Sequence, residues 1–265
     1  THGLNLAIHS LIKPGDLVVV SGYEHNAVLR PLHRIGANMK VARSPLFDRS
    51  AALAAFEQVV TPEVRAVVCT HVSNVFGFIL PLEEIAALCH SRGVPLIVDA
   101  AQSAGMLPLS LSNLRASYIA MPGHKGLYGP MGTGLLLCGR VPEPLLQGGT
   151  GSLSQSMEMP EFLPDRVEAG TQNVPGIAGL LAGIRFVRAQ GITNIEAHEK
   201  RLKDLLSNKL EQIPGLCIYK HDADQSGVMS VSAANMDCED LGQRLSDRCS
   251  ILCRNAVRTQ NSPQR

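Results

Sequence analysis

The sequence predicts an α/β protein with a mostly parallel sheet, flanking helices and a smaller α+β lobe towards the C-terminal end. Short apolar runs alternate with segments of helical periodicity along most of the chain, as in proteins with a parallel sheet. Residues 65–70 and 95–99 are largely apolar without alternation, which is typical of strands that are covered on both faces. After residue 215 the segments become shorter and more mixed, which indicates a separate small lobe.

The first 140 residues are predicted to supply the sheet and the helices around it. A helix begins at Thr1 and runs over residues 1–11, and a Pro14-Gly15 turn leads into the first strand. An alanine-rich helix over residues 50–59 begins at Asp48 or Ser50 as its cap. Residues 82–92 form a helix that ends at Gly93. The predicted strands are residues 16–21, 39–43, 65–70, 95–99, 117–121 and 132–138.

The second half of the chain is predicted to begin with a long loop rich in Gly, Pro and Ser over residues 141–164. Two helices follow, over residues 175–188 and 195–213, and Thr193 is expected to cap the second. We place a domain boundary here, with a major domain over residues 1–190 and a small lobe over 191–265. The elements predicted for the small lobe are strands over residues 216–219, 228–232 and 250–253, and a helix over residues 238–248.

Composition excludes several classes of function. The chain has 265 residues, is 45% hydrophobic and 18% charged, and has a net charge of +1, so it lacks the basic surface that binds nucleic acid or anionic lipid. No uncharged run is long enough to span a bilayer. Seven scattered cysteines indicate no metal site, since Cys249 and Cys253 lack a second pair of ligands. These features favour a protein of the reduced cytoplasm with no membrane or nucleic-acid partner.

Two chemical groups stand out where predicted strands end. Asp99 closes the apolar run over residues 95–99, and Lys125 follows the run over 117–121 between two glycines, Gly123 and Gly126. A lysine amine forms a Schiff base with an aldehyde, and a carboxylate pairs with a protonated ring nitrogen. The spacing of 125 − 99 = 26 residues leaves room for one crossover and one strand, so both groups are expected at one edge of the sheet. This pairing predicts a site for pyridoxal 5′-phosphate.

Four motifs in order make this chain resemble a known family. They are Glu24-His25-Asn26, His71-Val72-Ser73-Asn74-Val75, Val98-Asp99-Ala100-Ala101-Gln102-Ser103 and Gly123-His124-Lys125. With this spacing the chain resembles the cysteine desulfurase branch of the class V aminotransferases, from Thr1 to about Arg254.

The resemblance implies a pyridoxal phosphate enzyme of fold type I with cysteine or another small amino acid as substrate. Lys125, Asp99 and His25 would be catalytic, with the His25 ring stacked on the cofactor. Family members are homodimers, and a sulfur acceptor protein is a possible partner. The cofactor-binding residues implied are Thr1, His25, Asn74, Asp99, Gln102, His124, Lys125 and Thr171, and the substrate-binding residues are Asn74 and Arg254.

Each of these residues also has a plain structural interpretation. Lys125 on its own fits a solvated loop lysine, Asp99 fits the cap of the turn that follows it, and His25 fits a loop histidine. Asn74 fits a turn residue before a glycine, and Thr171 after Gly170 fits an ordinary turn. Gly148-Gly149-Thr150-Gly151 suggests a nucleotide loop, but it lacks the lysine and the spacing of such loops, which argues against a nucleotide-binding protein.

Near its C-terminal end, the sequence departs from the pattern of the family it resembles. A desulfurase needs a mobile, accessible thiolate, and in the family that Cys follows an Arg-x-Gly turn. Here neither Arg254 nor Arg258 is followed by Gly and then Cys, and Cys249 and Cys253 are expected to lie in or beside an apolar strand. We therefore expect a chain truncated at both ends. An aminotransferase, a selenocysteine lyase and a catalytically inactive fragment remain alternatives.

Overall fold

The central element is a six-stranded sheet, described with the rest of residues 1–254 in a computed structural model. Its strand order is β2-β1-β3-β4-β5-β6. The first five strands pair in parallel, and β6 pairs with β5 in antiparallel orientation. The strands are β1 (Leu17–Ser21), β2 (Asn38–Ala42), β3 (Ala66–Thr70), β4 (Leu96–Asp99), β5 (Tyr118–Pro122) and β6 (Gly134–Cys138). The predicted α/β class and the mostly parallel sheet are confirmed.

Helices cover both faces of this sheet because its buried strands present apolar side chains in both directions. On one face Val18 and Val20 pack with Ile8 and Leu32, and on the other Val19 packs in a second apolar cluster. The helices are α1 (His2–Leu11), α2 (Asn26–Ile35), α3 (Arg49–Val59), α4 (Leu82–Ser91), α5 (Leu111–Leu114), α6 (Val174–Gln190), α7 (Ile192–Leu210) and α8 (Cys238–Cys249).

The small lobe contains an antiparallel pair, β7 (Leu216–Tyr219) and β8 (Ser230–Ala233), together with α8. It is tied to the β3–α4 loop by the buried side chain of Gln225, whose Nε2 donates to the carbonyl of Phe76 at 2.9 Å. Ser230 adds a hydrogen bond to the carbonyl of Val75 at 2.6 Å. The α+β character predicted for this part of the chain is confirmed.

The helix caps confirm one sequence prediction and correct another. Asp48 caps α3, since its Oδ1 accepts from the backbone N–H of Ala51 at 2.8 Å. Thr193 does not cap α7, because that helix begins at Ile192 directly after Gly191. Gly191 has a φ of 81°, which lets the chain turn between α6 and α7 within one residue.

The strand predicted over residues 250–253 is wrong. Residues 250–254 have no strand partner among the described residues, and Ile251 and Leu252 are 52% and 89% exposed. A strand needs a neighbour for its backbone hydrogen bonds, so an apolar run alone does not make one. Arg258 lies outside the described residues.

Candidate active site

The carboxyl ends of the parallel strands bring the candidate residues to one edge of the sheet. Asp99 is the last residue of β4 and pairs in register with Thr70 of β3 and Ala120 of β5. His25 follows the end of β1, and Lys125 follows the end of β5. Ligands of open α/β sheets bind at this edge.

Asp99 is buried, with only 3% of its surface exposed. Its Oδ1 accepts from the backbone N–H of Ala101 at 2.9 Å, so it does cap the following turn. Burial raises the pKa of Asp99, while that backbone hydrogen bond and the nearby charges of Lys125 and His25 lower it. Within residues 1–254 it forms no ion pair, so a buried negative charge here lacks the partner that buried charges require.

Lys125 is half-buried in the loop between β5 and β6. Burial lowers the pKa of its amine, the negative charge of Asp99 raises it, and the positive charge of Arg254 lowers it again. A lowered pKa leaves more of the amine in the neutral form that attacks carbonyl carbons and accepts protons. The plain interpretation as a solvated lysine does not describe this environment.

Two glycines fix the loop that carries Lys125. Gly105 has a φ of 81°, and a Cβ on it would overlap the carbonyl oxygen of Gly126. In return, a Cβ on Gly126 would overlap the carbonyl of Ala104. The backbone after Asp99 and the backbone after Lys125 therefore pack directly against each other, which holds the two functional groups in a fixed relation.

Replacement of Gly105 by alanine is therefore expected to destabilise the protein by about 1–3 kcal/mol, the usual cost of overpacking. The added methyl must push the Gly126 backbone away, and alanine disfavours the positive φ. Chemical denaturation measures the loss. Gly149→Ala is the matched control, because no atom lies within 4 Å of a Cβ there. Equal stabilities for the two variants would contradict this packing role.

His25 is the N-cap of α2, and its Nδ1 accepts from the backbone N–H of Ala27 at 3.0 Å. That hydrogen bond leaves Nε2 as the protonated nitrogen of the neutral ring. Burial lowers the pKa of His25, and the negative charge of Asp99 opposes the shift. The ring is therefore oriented by the start of α2 and lies within electrostatic reach of Asp99 and Lys125.

The remaining candidate residues are distributed over two clefts and the outer surface. Gln102 shares with Lys125 a cleft of about 530 Å³, which α7 closes on the other side. Thr1 and His25 line a second cleft of about 390 Å³. His124 is exposed beside Lys125.

Asn74 and Thr171 lie in two separate loops, between β3 and α4 and before α6. Asn74 is half-buried in a tight turn in which Gly77 N–H donates to the carbonyl of Ser73 at 2.9 Å. Thr171 is exposed in the loop before α6, and no hydrogen bond in residues 1–254 links it to Lys125 or Asp99. The role predicted for Thr171 stays a prediction.

The match to known proteins covers nearly the whole chain. The family profile described as Aminotransferase class-V matches residues 1–258. The chain belongs to the class V aminotransferase family. No helix within residues 1–254 has the length and apolar character to cross a membrane.

Several class V relatives carry the name cysteine desulfurase. The chain is 33% identical to a probable cysteine desulfurase of Methanothermobacter thermautotrophicus, over 91% of this chain and 62% of the relative. It is 34% identical to the cysteine desulfurase of Escherichia coli O157:H7, over 93% and 64%. The apo structure of cysteine desulfurase from Thermococcus onnurineus matches with a TM-score of 0.82 and 30% identity, over 94% and 65%. The chain thus spans less than two thirds of the length of each of these proteins.

The predicted surroundings of the Cys249 and Cys253 thiols are corrected by the structure of this class V chain. Cys249 ends α8 and Cys253 follows it, and both are exposed rather than held in or beside an apolar strand. Arg254 is also exposed, and its positive charge lowers the pKa of both His25 and Lys125. Arg254 therefore lies within electrostatic reach of the candidate site.

Sequence reasoning missed two further features of the site. The helix α2, which His25 caps, was not predicted, and Glu24 was quoted in a motif without a role of its own. Glu24 accepts hydrogen bonds from Ser21 and from Thr70 at the ends of β1 and β3. Its position immediately before a candidate histidine was the available signal.

Proposed function

We propose that this chain is part of a pyridoxal phosphate-dependent enzyme of the cysteine desulfurase group that acts on a small amino acid. One observation carries the proposal. A lysine with a lowered pKa lies within electrostatic reach of a buried carboxyl without an ion-pair partner, at the ligand-binding edge of a parallel sheet. The names of the class V relatives agree with this choice.

The residues at this edge fit the chemical groups of the cofactor. Asp99 would pair with the ring nitrogen and so gain the cation that its buried carboxyl lacks. His25 presents an oriented flat ring, and Gln102 shares the cleft of Lys125. When bound, pyridoxal phosphate supplies an aldehyde and an electron-withdrawing ring. The residues proposed to hold its phosphate and oxygen substituents are Thr1, Asn74, His124 and Thr171.

Lys125 would hold the cofactor through its amine until the substrate's own amine displaces it, and the freed Lys125 amine would then move the proton at the substrate Cα. Burial and the charge of Arg254 favour its neutral amine, which is the form that accepts that proton. Arg254, together with Asn74, would bind the substrate, with the guanidinium on its carboxylate. Asp99 would remain ionised against the cationic ring and hold its charge through proton transfer.

The resemblance and the relatives support further proposals about the whole protein. Cysteine is the proposed substrate, because the relatives are named for it. A homodimer would bring Thr171 of one subunit to the phosphate site of the other. A sulfur acceptor protein and a cytoplasmic location complete the proposal. The division at residue 190 into a major domain and a small lobe stays a prediction.

The test combines a spectrum with product analysis. Added pyridoxal phosphate is expected to give a visible absorption band, and the loaded protein is expected to exchange the Cα proton of alanine or cysteine in heavy water. With a thiol reductant present to release bound sulfur as sulfide, sulfide plus alanine from cysteine would indicate a desulfurase. A keto acid would indicate an aminotransferase, and selenide release from selenocysteine alone would indicate a selenocysteine lyase. Cofactor binding without proton exchange would indicate an inactive relative, and the absence of a band would contradict the cofactor assignment.

A second arm of this test is needed because the thiols of Cys249 and Cys253 are both exposed. If sulfide is released, Cys249→Ser and Cys253→Ser show which thiol takes the sulfur, since both side chains are accessible. The sequence expectation is no sulfide release, because neither thiol follows the Arg-x-Gly turn of the family. Release that is lost only in Cys253→Ser would overturn that expectation and assign the role to Cys253.

A further inference from the structure

Glu24 connects the ends of two neighbouring strands below the candidate site. Its Oε1 accepts from the hydroxyl of Ser21 at 2.5 Å and from the backbone N–H of Thr70 at 2.8 Å. Ser21 ends β1 and Thr70 ends β3, so one carboxyl oxygen bridges two strands that pair in parallel. The next residue in the chain is His25, so this bridge also fixes where α2 and its cap begin.

The second carboxyl oxygen of Glu24 is buried without a partner. Part of the residue reaches solvent, but Oε2 has no hydrogen bond within residues 1–254 and no access to water. A buried carboxylate oxygen in this position would leave a charge unpaired, whereas a protonated oxygen removes the charge. Because Oε1 already accepts two hydrogen bonds, the proton belongs on Oε2.

Among residues 1–254, the groups that face Glu24 include no positive partner. They are the Ser21 hydroxyl on β1, the Cys69 thiol and Thr70 backbone on β3, and the Asp99 carboxyl on β4. Burial raises the pKa of Glu24 to about 8, and the negative charge of Asp99 adds to the increase. Near neutral pH this favours the neutral form of Glu24, so the two neighbouring carboxyls do not both have to carry a negative charge.

We propose that Glu24 is a positioning residue that acts as a neutral carboxylic acid, which fixes the position of His25 and spares Asp99 a second negative charge nearby. The role belongs to the same site as the proposed function and deepens it. Its test uses the protein without cofactor, so the two proposals can fail independently. Failure to bind or use the cofactor would leave the Glu24 result unchanged. A negative Glu24 result would leave the cofactor assignment unchanged.

The first measurement is the pH dependence of the free energy of unfolding in the wild type and in Glu24→Gln. The folded pKa of Glu24 lies above its unfolded value of 4.5, so the folded state binds more protons between these values. Stability is therefore expected to fall as pH rises from about 5 to about 8 and to level off above that range. The amide cannot ionise, so Glu24→Gln should lose this part of the slope. Parallel profiles for the two proteins would overturn the neutral state.

The second measurement tests positioning through the ring signals of His25 in nuclear magnetic resonance. Glu24→Gln keeps a hydrogen-bonding oxygen and should retain the His25 chemical shifts and titration, while Glu24→Ala should move both. Unchanged His25 signals in Glu24→Ala would overturn the positioning role. If Glu24→Ala does not fold, Ser21→Ala replaces it. The Ser21 hydroxyl lowers the pKa of Glu24, so its loss should extend the fall in stability to higher pH, and no extension would count against the proposal.

Discussion

Replacement of Lys125 by alanine is expected to abolish the borohydride-reducible bond between the protein and pyridoxal phosphate. A primary amine condenses with the cofactor's aldehyde, and Lys125 combines a lowered pKa with a position within electrostatic reach of buried Asp99. Reduction followed by peptide mass spectrometry is expected to place the cofactor on the peptide that contains Lys125 in the wild type. In Lys125→Ala the labelled fraction should fall to background.

Lys40→Ala is the matched control for this experiment. Lys40 is an exposed lysine on β2, the edge strand of the sheet, and its loss should leave the label on Lys125. Lys125→Arg adds a charge-retaining variant, because a guanidinium keeps the positive charge without forming the bond. Full labelling of Lys125→Ala at Lys13 or Lys40 would remove Lys125 from the assignment.

The sheet and the positions of its functional groups are accessible from sequence because both depend on short local patterns. An apolar run that ends in Asp99, and another that ends shortly before Lys125, locate two strand ends without knowledge of the rest of the chain. Parallel pairing then brings those ends to the same edge. The predicted helix and strand bounds differ from the structure by a few residues where caps and frayed turns decide them.

The helix α2 could not be predicted from its own residues, because tertiary contacts stabilise it. Pro31 lies inside it and ordinarily disfavours a helix interior, while His25 does not resemble the usual Ser, Thr, Asp or Asn cap. Burial of Val28 and Leu32 against the sheet stabilises the helix in spite of both features. The failed strand over residues 250–253 is the converse case, since its apolar residues find no surface to cover.

The ionisation of the site depends on groups that are distant in sequence. Glu24 and Asp99 are separated by 75 residues, yet the negative charge of Asp99 at the end of β4 raises the pKa of Glu24. Likewise, Arg254 lowers the pKa of Lys125 only because the fold places the two residues near each other. A motif can indicate which residues take part, but burial and charge partners decide which of them carry a proton.

Replacement of Asp99 by asparagine is expected to leave the cofactor bound but to slow exchange of the substrate Cα proton by about 10²–10³-fold. The amide keeps the shape of the carboxyl and an oxygen that can accept from the N–H of Ala101. It cannot hold a cationic ring nitrogen, so the ring withdraws electrons less strongly when the proton leaves Cα. The rate of deuterium incorporation into bound alanine measures this step directly.

Stability separates this electrostatic role from a structural one. Because burial raises the pKa of Asp99, a neutral amide at this position removes an unfavourable charge, and the unloaded variant should unfold no more easily than the wild type. Asp222→Asn is the control, since Asp222 is exposed in the small lobe and should change neither exchange nor stability. An unchanged exchange rate in Asp99→Asn would exclude Asp99 from the chemistry. Loss of exchange together with unfolding would instead reduce Asp99 to the cap of the turn at Ala101.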